Sequence, residues 1–96
     1  MGLKENKDKF KVTYNVAWQI EKIEGFVYIY HIKEKYYLSL EGIAKKMWLK
    51  IFSGKTVNEI ANEISLEYAV DYKVVEVDTM EFINDLVEKG VLGLYA

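Results

Sequence analysis

The chain has 96 residues, 51% hydrophobic and 15% aromatic, which is enough for one core and too few for a core plus a deep catalytic cavity. It has no Cys and a single His, so disulfides, thiolate metal sites and a structural zinc centre are excluded. The formal charge of -2 hides an asymmetry: residues 1–40 carry 7 Lys against 5 acids, and residues 56–96 carry 2 Lys against 9 acids.

All 13 basic residues are Lys, so the guanidinium fork that dominates base and phosphate recognition is missing, which weighs against nucleic acid. No apolar run approaches the roughly 18 residues of a membrane span, and the charged start from Met1 to Lys9 lacks the apolar stretch of a signal peptide. The expectation is a soluble, cytoplasmic domain over residues 10–96, preceded by a mobile arm at residues 1–9.

Phe10, Val12, Tyr14, Val16, Trp18 and Ile20 fall on alternate positions, which predicts one long strand with a buried face. Glu24 and Gly25 break it. Phe26 to Lys33 is apolar on both parities, as in a central strand covered on two sides, and a charged Lys33-Glu34-Lys35 turn leads to a third strand, Tyr36 to Leu40. The period then becomes helical: Ile43, Ala44, Met47, Trp48, Ile51 and Phe52 share one face, with Ser39 as a candidate cap and Gly54 as the terminating residue. Thr56-Val57-Asn58-Glu59 has the capping-box pattern and opens a second helix whose stripe is Val57, Ile60, Ala61, Ile64 and Tyr68. A third helix is expected from about Asp71 to Lys73 as far as Gly90. The fold class is therefore α+β, a three-stranded antiparallel meander followed by three helices, with a likeness to the winged helix-turn-helix.

On the third helix, Phe82, Val75, Leu86, Thr79, Ile83, Val87 and Met80 span an arc of roughly 160°, wider than the about 100° that one core face needs, and Val77 extends it. The excess points to a second apolar contact, within the fold or with a ligand. Asp78, Glu81, Asp85 and Glu88 occupy the other side as an ordinary solvated face, and they would repel DNA if this helix entered a groove. Tyr28, Tyr30, Tyr36 and Tyr37 could form a stacking platform for single-stranded RNA, yet strand preference explains them more cheaply and only Lys33 and Lys35 lie near. His31 lacks a Ser or Cys nucleophile arrangement, and there is no glycine-rich phosphate loop. No catalytic, metal or cofactor site emerges, and the expectation is a binding module rather than an enzyme.

Tyr37-Leu38-Ser39-Leu40, Trp48, the run Ser53 to Ile60, Tyr68 and the run Asp78 to Ile83 with Leu86 and Gly90 together resemble the PqqD-like family, the precursor-peptide recognition elements of ribosomal peptide natural-product (RiPP) pathways. The resemblance covers roughly Val16 to Leu92. It departs from the family at Ser39, where Asn is usual, and at Ser53, where Asp is frequent. It implies that a leader peptide adds as a strand beside Tyr36–Leu40 and packs against the third helix, with Tyr36, Tyr37, Leu38, Val75, Asp78, Thr79, Phe82 and Asp85 at the site. Asp78 and Asp85 would then meet a basic leader residue. The implied partners are the precursor leader and a separate modifying enzyme or leader peptidase, served by a free-standing recognition element. Two other readings stay open: a structural or dimerisation module, in which Phe10 to Ile20 exchanges between protomers, and a nucleic-acid-binding winged-helix domain.

Overall fold

The computed structural model describes residues 7–94, so Met1 to Asn6 of the expected arm lie outside the described residues. At the described end of that arm, the Asp8 carbonyl accepts a hydrogen bond from Val57 N–H at 3.0 Å. The strands are β1 (Phe10–Val12), β2 (Val16–Ile20), β3 (Val27–His31), β4 (Tyr36–Leu40) and β5 (Leu92–Leu94); the helices α1 (Gly42–Phe52), α2 (Val57–Tyr68) and α3 (Tyr72–Glu88) lie between β4 and β5.

The long first strand of the sequence reading is in fact two. Alternation runs unbroken through Tyr14, but Tyr14 is fully exposed and the chain turns at Thr13–Asn15. Before the turn, β1 pairs antiparallel with β5, Phe10 opposite Leu94. Thr13 fastens the corner, its N–H donating to Val91 O at 3.0 Å and its Oγ1 donating to Gly90 O at 2.7 Å.

After the turn, β2, β3 and β4 form the expected antiparallel meander, in which Trp18, Ile29 and Leu38 lie in one row across the sheet. Side chains of Val27, Ile29 and His31 are buried against the helices, whereas Tyr28 and Tyr30 sit on the other side. β3 is thus central in strand order but covered on one face only, contrary to the two-sided expectation. Its aromatic residues on the open parity mimic a buried run, because Tyr suits a strand surface whether or not a layer covers it.

The core joins this sheet to the helices through fully buried Trp48, Ile51, Ile60, Ile64, Ile83 and Val91. Burying each such aliphatic side chain stabilises the fold by about 1.5–3 kcal/mol relative to exposure. Trp18 meets Trp48 and Phe52 edge-on, at centroid separations of 5.6 and 4.8 Å, and so seats β2 over α1.

Helix ends follow the sequence closely. The capping box is complete: Glu59 N–H donates to Thr56 Oγ1 at 3.3 Å and Thr56 N–H to Glu59 Oε1 at 2.8 Å. Gly54 and Gly90 follow the last turns of α1 and α3 with φ of +85° and +76°. Ser39, expected as the cap of α1, lies within β4; Glu41 occupies the N-cap position and makes no side-chain cap bond.

Candidate functional site

Backbone parity decides what each edge of the sheet offers. Glu21 N–H donates to Phe26 O and Ile32 N–H to Asn15 O, both at 2.7 Å, so Ala17 and Gln19 direct their backbone groups toward β3. The alternation then carries across: Val27, Ile29 and His31 bond to β4 through Leu40, Leu38 and Tyr36. The N–H and C=O groups of Tyr37 and Ser39 consequently point away from the sheet, and β4 has no strand on that side among the described residues.

The beginning of β4 is fixed to the end of α3. Tyr36 Oη donates to Lys89 O at 2.7 Å, and the Tyr36 ring stacks on His31 with centroids 5.0 Å apart. His31, almost fully buried, accepts from Glu34 N–H at Nδ1 over 3.0 Å, which orders the β3–β4 turn together with Lys35 at φ +58°. Gly90 is required here for two reasons: its positive φ, and the His31 Nε2 lying 3.1 Å from where a Cβ would stand. His31, Glu34, Tyr36, Lys89 and Gly90, with Asn15, Lys33 and Glu88, line an open cavity of about 630 Å³ at the joint between β4 and α3.

The residues singled out from sequence fall into three groups. Tyr36, Leu38 and Phe82 are half-buried, and Leu38 and Phe82 pack against the core from β4 and α3 respectively. Val75 and Thr79 are core residues in this structure, with Thr79 Oγ1 donating to Val75 O at 2.7 Å, so they back the wall rather than present surface. Tyr37, Asp78 and Asp85 are exposed, and Asp85 is already paired with Lys89 Nζ at 2.6 Å. The wide apolar arc of α3 is only partly covered: Val75, Thr79, Ile83 and Leu86 are buried, while Val77 and Val87 are exposed.

Sequence reasoning missed Ser39 as a backbone contributor and Lys89 as the acceptor for Tyr36. Ser39 could have been found from alternation, since it shares the parity of Tyr37 and residues two apart on a strand direct their backbone groups to the same edge. The Lys89 contact joins residues 53 apart in sequence and leaves no local signal.

The tyrosine platform divides. Tyr28, Tyr30 and Tyr37 line a shallow outer pocket of about 530 Å³ with Ala17, Trp18 and Gln19, whereas Tyr36 lies on the inner side against His31. No charged residue lines that pocket, so it carries no basic track for a nucleic-acid backbone. Among the described residues no group of His, Asp or Glu is placed to hold a metal ion, and no helix is long and apolar enough to cross a membrane.

Fold and site together define a small α+β domain whose three-stranded sheet has, among the described residues, a free β4 edge tied at one end to the end of its longest helix. Residues 27–92 match the family described as coenzyme PQQ synthesis protein D (PqqD). The chain belongs to this PqqD family, the one its sequence resembles. Among solved structures, TbiB1 in complex with the TbiA(beta) leader peptide is 30% identical with a TM-score of 0.79, over 90% of this chain and 98% of that one. Lasso peptide synthetase B1 complexed with the leader peptide has a TM-score of 0.80 at 18% identity, over 88% of this chain and 98% of the other. The PqqD truncation of Methylobacterium extorquens PqqCD, a functional and stand-alone RiPP recognition element, has a TM-score of 0.70 at 22% identity over 93% of each chain. The last two likenesses concern the fold. No curated protein matches the sequence.

Proposed function

We propose that this chain binds the leader segment of a ribosomally made precursor peptide as an added strand on β4, against α3, and presents it to a separate modifying enzyme or leader peptidase. The observation that carries the reading is the edge of β4, which has outward groups at Tyr37 and Ser39, no strand paired with them among the described residues, and its first residue, Tyr36, tied to Lys89 at the end of α3. Main-chain hydrogen bonds there supply affinity, and alternate peptide side chains meet the wall built from Leu38 and Phe82, backed by Val75 and Thr79. Tyr36 holds one end of the groove through Lys89. Asp78 is the exposed carboxylate for a basic leader residue; Asp85 can serve only by exchanging its Lys89 partner.

Family membership and the leader-bound TbiB1 relative support this reading over a structural module. The domain acts by raising the local concentration of substrate beside the enzyme and does no chemistry itself. Its scaffold is winged-helix-like, but the acidic side of α3 makes it a peptide rather than a DNA reader. The test is titration of fluorescent leader peptides encoded beside the gene. Saturable binding to the folded chain is expected. A folded chain that binds none of them overturns the proposal.

A further inference from the structure

The opposite edge of the sheet carries a separate inference. Parity gives Val16, Trp18 and Ile20 outward-pointing N–H and C=O groups along β2, and no strand pairs with them among the described residues. Exposed edges are ordinarily blunted by charge, proline or a bulge. β2 has none of these: its sequence is VAWQI and its register with β3 is continuous. Exposed Tyr14, Ile20, Ile23 and Phe52 surround it, Phe52 lying edge-on to Trp18.

We infer that β2 is the contact between two copies of this chain, paired antiparallel about a two-fold axis at Trp18. That register is the one that overlaps all of β2 and also obeys parity. It sets Val16 opposite Ile20 of the second copy and Trp18 opposite its counterpart, so every outward group of the three residues finds a partner. Self-complementarity continues beyond the strand. Glu21 falls opposite Asn15, and Lys22 falls opposite the exposed ring of Tyr14, so no like charges meet. On the open face, Ala17 falls opposite Gln19 at two equivalent positions. The contact differs from strand exchange, because β1 remains paired with β5 of its own chain. It also leaves the β4 edge free.

Sedimentation velocity of the whole chain, without peptide, from about 10 to 500 µM tests this, because a self-associating species is concentration-dependent. The wild type should shift from monomer to dimer across the range. Ala17 and Gln19 are exposed, so the register can be probed without touching the core. Ala17→Lys with Gln19→Lys sets lysine against lysine twice and should weaken the dimer about tenfold or more. Ala17→Lys with Gln19→Glu sets lysine against glutamate and should retain it. Two double variants that behave alike overturn the register. A wild type that stays monomeric throughout overturns the inference and leaves the edge to a strand of another protein.

Discussion

The two edges of the sheet, β2 and β4, are both five residues long and uncharged, yet they stand in different surroundings. β2 rests on α1 through Trp18 and Phe52 and is open along its side, while β4 is tied at one end to α3 through Tyr36 and Lys89. A bare edge offers only main-chain hydrogen bonds, which any extended segment can use. An edge beside a helix adds a wall that reads side chains. On the proposed reading, selectivity for one class of peptide belongs to β4, and the proposed self-complementary pairing of β2 needs no wall.

Proline substitutions break this comparison most strongly. Leu38→Pro removes an N–H directed at β3 and places a ring inside the ladder, so it should destabilise the fold by about 3 kcal/mol or more. One residue earlier, Tyr37→Pro removes an outward N–H; far-UV circular dichroism should show an intact fold while leader affinity drops at least about tenfold. If both variants fold and bind alike, the parity assignment is wrong.

Gly90→Ala tests whether the joint at the end of α3 maintains the groove. The positive φ and the His31 contact at 3.1 Å oppose a side chain, so urea denaturation should register a loss of about 1–2 kcal/mol. Leader affinity should fall with it, because displacing His31 disturbs the Tyr36 stack.

Acid has a smaller effect and reaches the two edges unequally. The Ile23 and Glu24 N–H groups hold Glu21 below the usual carboxylate value of 4.5. Glu59 is lowered by the Thr56 N–H and hydroxyl, and Glu63 by Lys50 and then Lys55. Folded values that lie below the unfolded one stabilise the protein above about pH 4.5, and that contribution is lost as pH falls through the folded values. Urea midpoints should therefore decline below about pH 4.5. Glu21→Gln should reduce the part of that decline that comes from the β2–β3 turn without changing leader affinity at neutral pH.

Much of this could be read from the chain itself. The meander, the capping box at Thr56–Glu59 and the glycine stops at Gly54 and Gly90 are local patterns, and local patterns survive without tertiary context. The pairing of Phe10 with Leu94 is not local, and nothing in the alternation from Phe10 to Ile20 marks the turn at Thr13. Tyr misleads in two ways, since it alternates like a core residue at exposed Tyr14 and lines an open face at Tyr28 and Tyr30. At the site, the helix face was legible as an arc. Which of its residues are surface was not, because Thr79 satisfies its hydroxyl within its own helix and becomes core.

The central claim, that an extended peptide pairs with β4 through Tyr37 and Ser39, is met most directly by amide hydrogen exchange with and without leader at one fixed protein concentration. The account predicts that the Tyr37 and Ser39 amides gain protection on peptide addition while those of Val16, Trp18 and Ile20 do not change. Saturable binding that leaves Tyr37 and Ser39 unprotected, or that protects β2 instead, would contradict it.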